Sequence, residues 1–512
     1  MELWFSLVAF LLLCSSLHAL IKLFRTTKKL PPGPPTIPVI GNFLWLLKTS
    51  KSFSNVEPVL RQLRAKYGPI VTLYLGSQPS IFITNRDTAH RALVQGGSAF
   101  ASRPLAVQAT QVIFSNHRTI AMIPYGNQWR ILRQNLMSSI HPTRLNSYSP
   151  CRRWALEVLK NRLAREAKLG RPVRVVDHIQ HAMFCLLIYM LFGEKFEEKT
   201  IREISEATKA ALSNFTRFNV LNFMPIGIGK IVFRKLWKEL LQIRHNQLEV
   251  FLPLIRARRE KRKNEEKMGN THESFLGYLD TLLELKLPEG AKKEFSDEDL
   301  VSLCSEFLNG GTDTTTTALQ WAMANLVKHQ DIQEKLLSDI NRVVKAGDEI
   351  KDDDLKRMPY LNAVVLETLR RHPPGHFIIP RAVVEDTKFD GYDIPRNAMV
   401  NFTVADMGWD PKVWEEPMEF KPERFLSDGE NAHQVFDIKG VREIKMMPFG
   451  AGRRICPAIS LAILHQQYFV ANLIRDFKWT AENGCDVDLS EKQDFTIVMK
   501  SPLMAFISPR IN

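Results

Sequence analysis

Ten consecutive residues carry a large share of the chemistry open to this chain: Phe449-Gly450-Ala451-Gly452-Arg453-Arg454-Ile455-Cys456-Pro457-Ala458. Two glycines let the backbone turn tightly beside a flat ligand. Arg453 and Arg454 offer forked donors that match carboxylates. Cys456 comes next, and Pro457 suits the first turn of a new helix. A thiol at a helix N-terminus is drawn toward its thiolate by the dipole and the free N–H groups. A lone cysteine is more often a small buried apolar residue; the turn around Cys456 sets it apart. One thiolate, with cations for peripheral carboxylates, is what haem requires, and Cys-ligated iron favours O–O cleavage.

A second stretch is Gly310-Gly311-Thr312-Asp313-Thr314-Thr315. Ser296-x-x-Asp299 has the form of an N-terminal cap, and no proline occurs from Glu289 to Met358. One helix is therefore expected from about Ser296 to about Lys328, roughly 50 Å long. Two glycines and four other poor helix formers at its centre break the propensity rule, at about 1 kcal/mol per glycine. A local rule broken inside an element marks function. Threonine hydroxyls there can bond back to carbonyls of the preceding turn.

Two further pairings matter. Glu367 and Arg370 stand i, i+3 on one helix face, within ion-pair reach, and Arg424 lies downstream in Pro422-Glu423-Arg424-Phe425. Trp129 and Arg133 stand i, i+4, so ring and guanidinium share a face and could hold a carboxylate together; a plain cation–π pair is the alternative.

The elements that must position these groups are mostly helical. Arg144–Lys168, Asp177–Phe192 and Lys235–Lys263 have helical period. Ile70–Leu75 and Ile81–Thr84 read as a hairpin, with Thr387–Ile394 and Met399–Thr403 as later strands of the same small sheet. The apolar run Leu3–Ile21 reaches the length a bilayer needs. Lys22, Arg25, Lys28 and Lys29 follow it, which places the body on the cytoplasmic side. Basic residues after the run, rather than before it, disfavour a cleaved signal peptide. Pro31-Pro32-Gly33-Pro34-Pro35 is read as a stiff hinge.

The chain has 512 residues, a net charge of +14 and six scattered cysteines without a C-x-x-C pair, so neither a zinc site nor a disulfide framework is indicated. The basic run Arg256–Lys263 lacks interleaved aromatics and reads as a solvated helix end, not a nucleic-acid site. Pro225-Ile-Gly-Ile-Gly-Lys230 lacks the spacing of a phosphate loop, and no dinucleotide fingerprint follows a strand. Electrons from NADPH would have to arrive through another protein.

The pattern Phe449-x-x-Gly452-x-Arg454-x-Cys456 resembles the haem-binding loop of cytochrome P450 enzymes, with Ala458 where the family usually has glycine. The motifs above follow in the family's order over nearly the whole chain. Wording such as Phe307-Leu-Asn309-Gly310 and His372-Pro-Pro-Gly-His376 resembles plant A-type members, nearest to plant family eighty-nine. The resemblance implies a mainly α fold: a triangular helical prism with a long central helix over the haem and small β-sheets, plus an N-terminal transmembrane helix. It divides the chain into an anchor (residues 1–24), a basic and proline-rich hinge (25–35) and a haem-thiolate catalytic domain (36–512).

By the same resemblance Cys456 is the axial ligand of haem b iron, and Trp129, Arg133, Arg381 and Arg454, with Phe449, help bind the cofactor. Asp313 and Thr314 are the acid–alcohol pair for proton delivery. Glu367, Arg370 and Arg424 form a structural triad. Substrate contacts are expected from Ser102–Arg118, Phe215–Phe223, Phe307–Gly311, Gly375–Ile379 and Val498–Leu503, with Phe307, Asn309, His376, Phe377 and Val498 as candidates. Their apolar character suits a hydrophobic small molecule; His376 could orient a polar group or be a satisfied core histidine. The implied activity is an O2-dependent monooxygenase, hydroxylating or epoxidising a plant secondary metabolite or lipid-like compound. Its partners are NADPH–cytochrome P450 reductase and membrane lipid, not nucleic acid. It would sit in the endoplasmic reticulum membrane as a single-pass protein with its catalytic domain in the cytoplasm. The alternatives are a haem-thiolate rearrangement or dehydration enzyme, which tends to lose the acid–alcohol pair, and a non-enzymatic membrane haem protein. The sequons at Asn214 and Asn401 are expected to stay unmodified in the cytosol.

Overall fold

The structure is a computed structural model that describes residues 10, 12–17, 29–36, 41–42, 56–75, 78–104, 108–113, 118–218, 221, 228–268, 275–286, 295–396, 398–426, 436–481 and 486–510. It divides into two compact units: Met1–Leu105, Phe377–Met407 and Lys439–Ile455 form one, and Ala106–His376, Gly408–Ile438 and Cys456–Asn512 the other.

The first unit is built on helix α1 (Glu57–Tyr67) and strands β1 (Ile70–Leu75), β2 (Gln78–Ile83), β3 (Thr387–Phe389), β4 (Tyr392–Ile394) and β5 (Met399–Phe402). β1 and β2 form the expected hairpin, and β5 adds to β2 in parallel, Ile81 opposite Val400. β3 and β4 are not part of this sheet, contrary to the sequence expectation. They pair with each other across a turn in which Asp390 and Gly391 both have positive φ. The bridge between Arg381 and Val400 occupies part of β5's backbone, through two 2.8 Å hydrogen bonds. The proline-rich segment does not hang free. The Pro32 carbonyl accepts from Thr72 N–H, and a Cβ on Gly33 would fall 1.9 Å from the Thr72 oxygen. Asn42 ties Pro35 to Tyr74, and Lys29 N–H bonds Asp393. Gly33 is there because only a residue without Cβ lets this segment lie on β1.

The second unit holds helices α2 (Asn127–Ser139), α3 (Ser149–Ala167), α4 (Val175–Phe192), α5 (Glu198–Ser213), α6 (Arg234–Lys267), α7 (Asp297–Lys328), α8 (Gln330–Val343), α9 (Pro359–Arg371) and α10 (Ile459–Asp476). Strands β6 (Phe477–Thr480), β7 (Glu491–Gln493), β8 (Ile497–Met499) and β9 (Met504–Pro509) complete it; β7 pairs with β8, and β9 with β6 and Val173–Arg174. α7 begins as expected: Ser296 Oγ accepts from Asp299 N–H, and Asp299 returns a bond to Ser296 N–H. It runs unbroken to Lys328, buried along most of its length. α4 packs beside it. Leu187 lies so close that a Cβ on Gly311 would come within 2.7 Å of its Cδ1.

Among the described residues α4 alone is long and apolar enough to cross a membrane, and two thirds of it is buried core. The expected anchor, residues 1–24, lies mostly outside the described residues. Phe10 and Leu12–Leu17 are helical, with Phe10, Leu12, Leu13 and Leu17 exposed. The basic run at the end of α6 is engaged in ion pairs: Arg256 and Arg259 with Asp297, Arg258 with buried Asp280, Lys261 with Glu194, Arg262 with Glu284 and Lys263 with Glu260. Asn401 is buried in β5, so only Asn214 can report on membrane topology.

Candidate active site

In the first unit the loop before Cys456 is shaped by two glycines. Gly450 and Gly452 have φ of +70° and +71°, a region L side chains rarely enter. A Cβ on Gly452 would stand 1.8 Å from the Leu93 carbonyl oxygen. Arg454 turns inward, Nε donating to the Ala101 carbonyl at 2.6 Å, and Arg381 Nη2 donates to the Arg454 carbonyl at 3.2 Å. Both guanidiniums are buried, whereas Arg453 is exposed. Phe449 is half-buried.

In the second unit Cys456 is placed by the chain just before α10. Pro457 does not open the helix, which starts at Ile459 with Ala458 as its cap residue. The Ala458 N–H donates to Cys456 Sγ at 3.4 Å. Ala458 has φ −102° and ψ 26°, open to any L-residue, so the family's usual glycine is not required here. Burial pushes the Cys456 thiol up, while the Ala458 N–H and the Arg133 charge pull it down. Burial lowers the Arg133 guanidinium, and Cys456 opposes that. This donor set fits haem: a sulfur with one N–H donor and a neighbouring cation stabilises a thiolate, and a metal-bound thiol is deprotonated outright. Trp129 is buried and its ring lies 5.9 Å from Arg133 Cζ, so the cation–π pair exists, within the fold rather than on its surface.

At the centre of α7, Thr314 Oγ1 donates to the Gly310 carbonyl at 2.7 Å. The two glycines differ. Gly310 faces open space, and Gly311 is needed for Leu187 to pack. Asp313 Oδ2 accepts from Thr496 Oγ1 at 3.1 Å. Burial raises the Asp313 carboxyl, helped by Asp494 and opposed by Thr496 and Lys209.

The charged triad is assembled in this unit. Arg370 makes a two-pronged pair with Glu367 at 2.7 Å, and Arg424 Nε reaches Glu367 Oε1 at 3.2 Å. Arg370 also donates to the Gly408 and Pro417 carbonyls. The pair is fully enclosed, with both side chains at 0% exposure.

Each expected substrate residue has its own neighbours. Phe307 stacks on Tyr278 at 4.9 Å and packs on the helical core. Asn309 Nδ2 donates to Ser305 Oγ, and Val498 sits on β8 opposite Lys492. Phe377, in the first unit, meets Phe82 edge to face. His376 Nε2 lies 3.3 Å from Glu491 Oε2, and its ring meets Trp409. His372 Nδ1 lies 3.0 Å from the other Glu491 oxygen and stacks on Trp321 at 4.0 Å. Residues 105–107, 114–117, 219–220 and 222–223 of the expected substrate loops lie outside the described residues. Sequence reasoning missed Glu491 and Thr496; no motif marks either, and Thr496 is 183 positions from its partner Asp313.

Known proteins resemble this chain over nearly its whole length. The chain is 48% identical over 500 residues to "Cytochrome P450 89A9" of Arabidopsis thaliana, covering 95% of each chain. It is 30% identical over 504 residues to germacrene A acid 8-beta-hydroxylase of Inula hupehensis, covering 98% of this chain and 96% of that one. The fold superposes on a zebra fish cytochrome P450 structure with progesterone at a TM-score of 0.74 and 22% identity, covering 88% and 99% of the two chains. The sequence model of the family "Cytochrome P450" matches residues 31–507, so a chain whose lone loop cysteine sits between a glycine–arginine turn and a helix start belongs to the cytochrome P450 family of haem-thiolate monooxygenases.

Proposed function

We propose that this monooxygenase hydroxylates or epoxidises a hydrophobic small molecule, a plant secondary metabolite or lipid-like compound, with electrons from NADPH–cytochrome P450 reductase. Residues 1–24 anchor it in the endoplasmic reticulum membrane, residues 25–35 link the anchor to the body, and residues 36–512 form the cytoplasmic catalytic domain. Haem b with a thiolate ligand supplies the O–O cleavage chemistry. Cys456 provides the sulfur, held by the Ala458 N–H and the Arg133 charge. Trp129, Arg133, Arg381 and Arg454 serve the propionates, and Phe449 packs at the turn. Glu367, Arg370 and Arg424 fix the surrounding backbone.

Asp313 and Thr314 handle protons. Burial raises the Asp313 carboxyl, so it holds a proton more readily than a solvated carboxyl does. Thr314, whose proton goes to the Gly310 carbonyl, would orient a water by accepting from it through its hydroxyl oxygen. The observation that carries this reading is that α7 keeps an acid and an alcohol side by side beside the two glycines at its centre, which a rearrangement enzyme would not need.

The test begins with apolar plant metabolites screened for binding by shifts of the haem spectrum. A hit is then turned over with reductase. Product is expected only with NADPH. Asp313→Asn and Thr314→Ala should each cut product per NADPH by about tenfold or more, within the range of general acid–base effects. Product formed without NADPH, or full coupling in both variants, would overturn the reading.

A further inference from the structure

The C-terminal hairpin β7–β8 is fastened to α7 by more than packing. Trp321 Nε1 donates to the Ile497 carbonyl at 2.8 Å, and Ile497 N–H donates to the Pro374 carbonyl at 2.9 Å. The main chain beside Thr496 is thus held from two sides. Its side chain is 3% exposed. Thr496 Oγ1 donates to Asp313 Oδ2 at 3.1 Å and lies 2.8 Å from Thr317 Oγ1. A hydroxyl has one proton. When Asp313 is ionised it accepts the proton of Thr496, and Thr317 then donates to Thr496. The three residues form a directed chain, Thr317 to Thr496 to Asp313, ending on the carboxyl.

We propose that Thr496 is a positioning residue for the proton-handling carboxyl: its hydroxyl, seated between Thr317 and Asp313, holds Asp313 Oδ2 against the C-terminal hairpin and so links proton delivery to the segment that carries Val498. The inference rests on the reading of Asp313 as the relay acid. Thr496 acts through Asp313 and is not itself a catalytic residue. A hydrogen bond to a carboxylate favours its ionised form. Here it opposes burial and the Asp494 charge, on the same side as Lys209 of α5. A shift of the hairpin that withdrew Thr496 would leave Asp313 with a tighter hold on its proton. Substrate pressing on the hairpin would therefore be felt at the relay.

The experiment is an infrared pH titration of the full-length holoenzyme, the Asp313 carbonyl band being isolated by subtracting the Asp313→Asn spectrum. Thr496→Val should move the Asp313 midpoint upward by about one pH unit, a roughly tenfold gain in proton affinity. Thr496→Ser, which restores the hydroxyl, should return it to within about 0.3 unit of the starting value. Thr496→Ala lacks the hydroxyl too and replaces Val if that variant does not hold haem. An unmoved midpoint in the hydroxyl-free variant, or an equal shift in the serine variant, overturns the proposal. Failure of the underlying reading looks different: Asp313→Asn would then leave product per NADPH unchanged, whatever Thr496 does to the titration.

Discussion

Gly452 and Ala458 flank the same cysteine, and the structure assigns them opposite tolerance. At Gly452 a methyl group meets two obstacles. The backbone is left-handed at φ +71°, which costs an L-residue about 1–2 kcal/mol. The new Cβ would also lie 1.8 Å from the Leu93 carbonyl oxygen, far inside contact distance. That atom is main chain and cannot rotate away, so the turn or the Leu93 segment must move, at a further ~1–3 kcal/mol. Gly452→Ala should therefore lose about 3 kcal/mol or more. Ala458 sits at φ −102° and ψ 26°, and Ala458→Gly should cost no more than the backbone entropy of glycine, about 1 kcal/mol. Thermal unfolding by circular dichroism, with haem retention read from the reduced carbon-monoxide difference spectrum, separates the two. Gly452→Ala should melt several degrees lower and hold less haem, while Ala458→Gly stays near the parent. Equal melting of Gly452→Ala and the parent would refute the reasoning, as would an equally large loss in Ala458→Gly.

Four other outcomes are expected. Glu367→Ala leaves Arg370 enclosed without its carboxylate and should destabilise by about 3–5 kcal/mol, read as lost yield of haem-loaded protein. Gly310→Ala meets open space and should gain up to ~1 kcal/mol of helix stability while lowering turnover, whereas Gly311→Ala strikes Leu187 and should melt lower; paired melting curves check both. Burial drives His372 down to about 4 and His465 to about 3. Both folded-state values lie below the unfolded one, so the unfolded chain binds more protons. Stability is then full above pH ~6.5 and falls as the pH drops toward 4, by on the order of 3 kcal/mol for His372 alone; denaturant midpoints across that range test it. Asn214, whose Nδ2 caps the Ala210 carbonyl at the end of α5, should carry no sugar in eukaryotic microsomes, as a mobility shift with a glycosidase would show.

What was legible in the sequence is what short-range physics decides. The limits of α7 follow from its cap residues and the absence of proline, and the structure begins and ends the helix within a residue or so of that reading. The hairpin β1–β2 follows from β-branched runs and a turn. Glu367 and Arg370 are neighbours by helical spacing alone. Arg424 could be joined to them only by the order of motifs, since nothing local brings residue 424 to residue 367.

What was not legible depends on partners far along the chain. β3 and β4 have strand composition, but composition does not say which edge they pair with; the Arg381–Val400 bridge and the Asp390-Gly391 turn decide that. The proline run is stiff in isolation, and nothing local says that its carbonyls will meet Thr72 and Asn42. His376 and Thr496 make the same point for the chemistry. Each is an ordinary polar residue by type, and each meets one distant group: Glu491 for the histidine, Asp313 for the threonine. A carboxyl buried in the middle of a helix must find a hydrogen-bond donor somewhere. The sequence announces that need at Asp313 while leaving the donor's position to the fold.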